Sequence, residues 1–134
     1  PITDVTGVDQ PGRRISVAAR TAYGLWLERN VTQAELVTAD GFDATFALFE
    51  AGPFDAMAGL RPKLIDDVTR LPGARMLPGR FMAVRQAIGT PKAAGAALDY
   101  LQRFVGAAID TGFVADRIAH HGVQGLAVAA REAP

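Results

Sequence analysis

The chain has 134 residues, of which 49% are hydrophobic and 21% charged, a composition that indicates a folded domain and excludes a disordered tail. Fourteen basic residues balance fourteen acidic ones, so no net charge recruits nucleic acid or an anionic membrane surface. Cysteine does not occur, which excludes disulfides and thiolate chemistry, and no apolar run reaches the roughly 20 residues that a membrane-spanning helix needs.

The first twelve residues contain two prolines and two glycines and predict a linker or hinge. They begin at Pro1 rather than methionine, as expected of a processed or excised chain. A continuous apolar run then predicts a strand at Ile15–Ala19 that is buried on both faces, as in a parallel sheet. The strand turns directly into a helix, with Thr21 as the N-cap and with Leu25 and Trp26 packed against the sheet.

Two further strand–helix units follow. Strands are predicted at Ala34–Thr38 and Phe54–Ala58, with a helix that opens at Asp40-Gly41 after the first and a helix that opens near Pro62 after the second. The βαβαβα order requires right-handed crossovers and predicts an α/β fold, a three-layer α/β/α lobe around a mostly parallel sheet. Apolar residues at helical spacing mark the expected core: Phe42, Phe46, Leu48 and Phe49 in one helix, and Leu64, Ile65, Val68 and Leu71 in the other.

The second half of the chain departs from this alternation. Short strands are predicted at Ala74–Leu77 and Arg80–Arg85. Thr90 followed by Pro91 is typical of a helix start and predicts a long helix to about Ile109. A last helix ends at Gly122, followed by an apolar tail. The inward residues predicted for these two helices are Ala94, Ala97, Leu98, Leu101, Phe104, Val105, Ala108, Phe113, Val114 and Ile118.

The junction between the first strand and its helix is the strongest candidate site. A parallel strand that runs into a helix N-terminus leaves free backbone N–H groups and the positive end of the helix dipole at the carboxyl edge of the sheet. Ligands of open α/β sheets bind at this edge. With Arg20 just before the cap residue Thr21, the expected ligand group is an anion such as a carboxylate. The alternative interpretation is that Thr21 is only a structural cap and Arg20 a solvated charge.

A second basic residue, Arg61, follows the carboxyl end of a strand that could neighbour the first. Gly59 ends that strand at a place where a side chain would crowd an approaching group. Lys63, Arg75 and Arg80 are interpreted as ordinary surface charge.

Motifs for other chemistry are not found. Without GxGxxG, GxxxxGK[ST], GxSxG or HExxH, the sequence disfavours a nucleotide-phosphate loop, a hydrolase triad and a metalloprotease, and predicts no cofactor, no metal and no catalytic residue. The adjacent His120 and His121 point about 100° apart on a helix and cannot chelate one metal. Asp66 and Asp67 diverge in the same way and are interpreted as a solvated face.

Five phrases occur in order along the chain: Pro11-Gly12-Arg13-Arg14-Ile15-Ser16-Val17, Thr21-Ala22-Tyr23 opening a helix, Phe54-Asp55-Ala56-Met57-Ala58-Gly59, Arg80-Phe81-Met82-Ala83-Val84-Arg85, and Asp110-Thr111-Gly112-Phe113. Together they resemble the second half of a bacterial extracellular solute-binding protein of family 3. Such proteins are the amino-acid-type receptors of ABC importers and have the periplasmic-binding-protein type II fold. The resemblance runs from about Gly12 to Gly125.

The resemblance implies a domain organisation. Residues 1–12 would be a linker or hinge, residues 13–86 the second lobe of the receptor, and residues 87–134 a helical segment that returns to a first lobe missing from this chain. The strand at Arg80–Gln86 would be the return crossing between the lobes.

The resemblance also implies a binding site. In the family, a hydroxyl residue and backbone amides at the first helix of this lobe hold the ligand carboxylate, and these positions correspond to Thr21 and Ala22. An acid that usually follows the third strand and holds the ligand's amino group is missing from Ala58-Gly59-Leu60-Arg61, which favours an organic acid or another anion. The candidate ligand-binding residues are Arg20, Thr21, Ala22, Tyr23, Gly59 and Arg61.

Three functions remain open. The first is the periplasmic solute-binding component of an ABC importer, which binds a small solute between two lobes and docks on a membrane permease. The second is an enzyme that resembles cyclohexadienyl dehydratase on the same fold, whose acid or base could only be Asp40 or Asp55. The third is the effector-binding domain of a LysR-type transcription regulator. Because the helices from Thr90 onward would lack a first lobe to cover, the chain is also expected to form a homodimer.

Overall fold

The computed structural model describes residues 1–130, which divide into two compact units, Pro1–Val84 and a second unit that begins at Arg85. The last four residues of the segment predicted for 87–134 lie outside this description. Within it, no helix combines the length and the apolar character that are required to cross a membrane.

The first unit is built on a parallel three-stranded sheet. Strand β1 (Arg14–Ala18) lies in the centre, between β2 (Glu35–Ala39) and β3 (Ala56–Ala58). Four of the five residues of β1 are buried, as expected for a central strand that is covered on both faces. The structure thus confirms the α/β fold class and the parallel sheet.

Three helices flank this sheet: α1 (Ala22–Asn30), α2 (Phe42–Ala51) and α3 (Arg61–Arg70). The chain passes from β1 through α1 to β2, and then back across the sheet through α2 to β3. Because βαβ crossovers are right-handed, these opposite directions place α1 and α2 on opposite faces of the sheet. The carboxyl ends of β1 and β3 therefore form a topological switch point, the place where open α/β sheets bind ligands.

The core of this unit surrounds the central strand. Trp26 is partly buried and packs on Phe81, with ring centroids 5.5 Å apart. Leu25 was predicted to face the sheet and is instead 43% exposed, because Tyr23 and Leu27, one helical turn apart, turn the opposite side of α1 inward. The buried apolar residues of the cluster are Ile15, Val17, Ala18, Tyr23, Leu27 and Ala58.

The aromatic stripe predicted for α2 is only partly in the core. Phe46 is buried, whereas Phe42 is 47% exposed. Phe42 is the first residue of the helix, so it lies at the rim of the sheet rather than over it.

Two predicted strands, Ala74–Leu77 and Arg80–Arg85, are not formed, since residues 71–94 contain neither helix nor strand. Pro78 has no N–H group to donate to a ladder, and Gly79 turns the chain with a φ of 91°. The apolar side chains that suggested a strand pack directly against the core: Phe81, Met82 and Val84.

Residues 1–12, predicted as a linker or hinge, belong to the first unit. The Asp9 carboxylate accepts hydrogen bonds from the backbone N–H groups of Thr32 (3.0 Å), Gln33 (2.8 Å) and Ala34 (2.8 Å). These bonds, with that of Ala34 contributing most, lower the pKa of Asp9 from 3.8 to about 2. They attach the N-terminal segment to the turn between α1 and β2.

The second unit contains α4 (Gly95–Asp110) and α5 (Phe113–His120). Helix α4 begins later than predicted, because the chain after Thr90 first makes a turn that is closed by a hydrogen bond from the Ala94 N–H to the Pro91 carbonyl (3.0 Å). Thr90 is therefore not its cap, and Ala94 occupies the cap position without a side-chain bond.

Helix α5 ends as predicted. The Gly122 N–H donates to the Ala119 carbonyl (3.1 Å) and the Val123 N–H donates to the Ile118 carbonyl (3.2 Å). This pair of bonds is a Schellman motif, which requires the positive φ of 60° that Gly122 adopts.

The inward faces predicted for α4 and α5 are not buried. Neither helix has a buried residue, and Leu98, Phe104 and Phe113 are exposed. The apolar stripes of the two helices therefore stay accessible within this unit.

Candidate functional site

Thr21 caps α1 as predicted. Its hydroxyl accepts a hydrogen bond from the Gly24 N–H (3.0 Å) and donates one to the carbonyl of Ala18 (2.8 Å). The single proton of the hydroxyl is thus used within the protein. The donors that this position offers to an anion are the amides of Ala22 and Tyr23, which belong to the first turn and have no acceptor within the helix.

Gly24 allows α1 to approach the end of β1. A Cβ atom at this position would lie 2.7 Å from the Ala18 carbonyl oxygen and 2.8 Å from Thr21 Oγ1, closer than such atoms come. The absence of a side chain therefore keeps the first turn of α1 next to the carboxyl edge of the sheet.

Arg20 connects β1 to α1 in a left-handed backbone conformation, with a φ of 57°, the only positive φ of a non-glycine residue in the described chain. Its guanidinium pairs with the carboxylate of Asp40, which follows β2 (2.6 Å). The Arg20 side chain is 79% exposed and that of Asp40 82%. An exposed pair of this kind contributes only about 0–1 kcal/mol. The guanidinium can therefore change partner at small energetic cost.

Arg61 and Gly59 follow β3, which the structure places beside β1 as the sequence suggested. The Arg61 guanidinium donates to the carbonyl of Gly79 (2.6 Å), whereas that of Arg20 pairs with Asp40. A Cβ atom at Gly59 would come within 3.1 Å of the Leu64 side chain. The crowding predicted at Gly59 therefore comes from α3.

A small cavity of about 10 Å³ lies at the switch point. Two of the predicted site residues, Tyr23 and Gly59, line it, whereas Arg20, Thr21, Ala22 and Arg61 do not. The other lining residues are Ala18, Phe42, Thr45, Met57, Ala58, Lys63, Leu64 and Asp67.

An ion pair with a buried carboxylate borders this cavity. The Asp67 side chain is only 4% exposed, and one of its carboxylate oxygens accepts a hydrogen bond from the Lys63 ammonium. Arg70 Nη1 lies 3.6 Å from the same oxygen. The interpretation of Asp67 as part of a solvated face was wrong, and Lys63 is more than ordinary surface charge.

The sequence contained a signal for this pair. Lys63 and Asp67 are spaced i, i+4, the spacing at which opposite charges meet on a helix. Asp67 also borders the apolar stripe of α3, whereas Asp66 lies on the opposite side and is exposed.

The Tyr23 hydroxyl is the second buried polar group of the site. Tyr23 is 4% exposed, and its hydroxyl oxygen has no hydrogen-bond partner among the described residues. Burial raises the pKa of Tyr23, and the neighbouring Thr21 side chain offsets part of this effect.

The two acids considered for an enzyme lie elsewhere. Asp40 pairs with Arg20 in solvent. Asp55 precedes β3 at the amino end of the sheet, where the Arg14 N–H (3.0 Å) and the Arg13 guanidinium bind it and lower its pKa. The buried acid at the carboxyl edge is Asp67.

The two histidines contact each other edge to face, with ring centroids 5.0 Å apart. They do not diverge as predicted, because His121 is the cap residue after α5 rather than a helical position. Within residues 1–130, no three histidine or acidic side chains come together in a group that could hold a metal ion.

Comparisons of the chain with models of protein families, with curated proteins and with solved structures find no match.

Proposed function

We propose that the first unit is the ligand-binding lobe of a periplasmic solute receptor of an ABC importer, and that it binds a small carboxylate-bearing solute at the carboxyl edge of its sheet. The observation that carries this proposal is the switch point between β1 and β3, where the first turn of α1 lies beside the end of the central strand.

The chemistry of this edge suits an anion. The amides of Ala22 and Tyr23 and the positive end of the α1 dipole face the same region, so a carboxylate there gains charge-assisted hydrogen bonds. Arg20 stands at the start of this turn, and its weak, exposed pair with Asp40 can be exchanged for a ligand.

The edge forms one wall of a binding site. Small-molecule sites have volumes of about 300–1,000 Å³, and the cavity at the switch point has about 10 Å³. A solute on this surface needs a second surface above it, as in a receptor that closes two lobes around its ligand and then docks on a membrane permease.

The charges favour an organic acid over an α-amino acid. Asp67 is the buried acid at this edge, and Lys63 and Arg70 already neutralise it. A ligand ammonium would have to compete with two cations for one carboxylate.

A titration of small carboxylates and amino acids into the full-length protein tests the proposal. Thr21→Ala removes the cap and disorders the first turn, so we expect it to weaken carboxylate binding about fivefold, the equivalent of about 1 kcal/mol. Thr21→Ser keeps the cap hydroxyl and should retain affinity. Lys92→Ala, at an exposed position of the second unit, is the neutral control. Lys63, interpreted from the sequence as ordinary surface charge, is unsuitable as a control because it pairs with the buried Asp67.

Two outcomes would count against the proposal. The first is equal affinity in Thr21→Ala and Lys92→Ala. The second is the lack of binding by any carboxylate in the panel.

We also propose that the second unit pairs with another copy of this chain. Helices α4 and α5 bury no residue, while Leu98, Phe104 and Phe113 expose apolar surface whose burial gains about 25 cal/mol per Å². Light scattering should show a dimer, and Leu98→Arg with Phe104→Arg should give a monomer. A wild-type chain that stays monomeric at high concentration contradicts the pairing.

A further inference from the structure

The Tyr23 hydroxyl poses an energetic problem. It is fully buried, and no described residue meets it with hydrogen-bond geometry, although the neighbouring Thr21 side chain partly offsets the pKa increase caused by burial. Folded proteins rarely leave such groups unpaired, because an unsatisfied buried hydroxyl loses its hydrogen bonds to water without replacement. Tyr23 lines the cavity at the switch point. A hydrogen-bond partner for its hydroxyl can therefore occupy this cavity.

The size of the cavity restricts the partner. A cavity holds one water molecule when its volume reaches about 10–15 Å³. The cavity has about 10 Å³ and therefore accommodates a single non-hydrogen atom.

The charged side chains around the cavity further restrict the chemistry of its occupant. The Asp67 carboxylate already pairs with the Lys63 ammonium, and the Arg70 guanidinium lies 3.6 Å away. These two positive charges would repel a third cation. An anion would meet the buried Asp67 carboxylate. Thr45 donates its hydroxyl proton to the Gly41 carbonyl (2.7 Å) and keeps acceptor capacity. The site suits a neutral molecule that both donates and accepts.

We propose that this cavity is a binding site for one water molecule, which joins the Tyr23 hydroxyl of α1 to the Lys63–Asp67 pair of α3. The water connects two helices that follow neighbouring strands, and it fills the space beneath the edge at which a solute would bind. The proposal does not depend on the function of the protein. Ser16, whose buried hydroxyl also has no partner among the described residues, does not line this cavity and is not expected to share the water.

The sign of a stability change tests the proposal. Tyr23→Phe removes only the hydroxyl. If the hydroxyl binds the water, the variant loses hydrogen bonds and its melting temperature falls by about 3–5 °C, followed through the fluorescence of Trp26, the single tryptophan. If the hydroxyl were unpaired, its removal would raise the melting temperature. Tyr100→Phe, at the only other tyrosine and 61% exposed, should leave it unchanged.

A crystal structure of the whole chain supplies the second measurement. We expect one ordered oxygen within hydrogen-bonding distance of Tyr23 Oη. An unchanged or raised melting temperature for Tyr23→Phe, or the lack of that oxygen, overturns the proposal. Occupation of the same position by bromide or rubidium after soaking also overturns it, because the site would then select an ion.

Discussion

The Lys63 ammonium donates a hydrogen bond to the Asp67 carboxylate one helical turn later, and Asp67 is the only buried residue of α3. The Phe46 ring of α2 faces the same cluster, with Lys63 Nζ 5.9 Å and the Arg70 guanidinium carbon 4.5 Å from its centroid. The charged cluster of α3 therefore contacts α2 through the Phe46 ring.

Removal of Lys63 should be costly. Lys63→Met leaves the Asp67 carboxylate buried with Arg70 3.6 Å away, so we expect the free energy of unfolding to fall by about 3 kcal/mol. The double variant Lys63→Met/Asp67→Leu removes both charges and should recover most of this loss. Urea unfolding followed by Trp26 fluorescence measures both. Lys92→Met is the exposed control. If Lys63→Met lowers the free energy of unfolding as little as Lys92→Met does, the pair does not stabilise α3.

Arg20 should show the cost of its backbone conformation. A non-glycine residue at a φ of 57° is strained by about 1–2 kcal/mol, whereas glycine adopts this region freely. Arg20→Gly and Arg20→Ala both lose the exposed pair with Asp40, but only glycine relieves the strain. We expect the glycine variant to be more stable than the alanine variant by about 1 kcal/mol in urea unfolding. Equal stabilities would mean that position 20 is unstrained.

Asp9 should make the protein sensitive to acid. Its pKa is about 2 in the folded chain and 3.8 ordinarily, so the folded state binds fewer protons. The stabilisation is complete above pH 3.8 and is lost as the pH falls towards 2. Asp9→Asn should unfold more easily at neutral pH and should show a flatter dependence of stability on pH between those values.

Circular dichroism across an acid titration measures this dependence. Asp66→Asn, on the exposed side of α3, should follow the wild-type curve. An Asp9→Asn curve that runs parallel to the wild type throughout would contradict the assignment to Asp9.

Ser16 should respond in the direction opposite to Tyr23. Its hydroxyl is fully buried in the central strand without a hydrogen-bond partner among the described residues. Ser16→Ala removes a desolvated hydroxyl and almost no volume, so we expect the free energy of unfolding to rise by about 1 kcal/mol. A loss of stability in this variant would show that the hydroxyl has a partner, for example a second buried water.

Local interactions made part of this protein predictable from its sequence. The apolar run at Ile15–Ala19, the cap at Thr21 and the terminating glycine at Gly122 depend on a few neighbouring residues, so their composition is sufficient to identify them. The alternation of strands and helices, with the handedness of crossovers, then predicts the parallel sheet and its carboxyl edge.

Tertiary structure decided the rest, because the free energy of the remaining groups depends on contacts between residues far apart in sequence. Phe81 lies in a segment whose sequence pattern is typical of a strand. It packs on Trp26 instead, in a segment that forms no strand pairing. Arg20 and Arg61 follow neighbouring strands, but their guanidinium groups turn to acceptors in other segments. Asp67 is of a residue type that usually lies on the surface. It is buried where α3 packs on α2, and the positive charge of Lys63 offsets the unfavourable desolvation of its carboxylate.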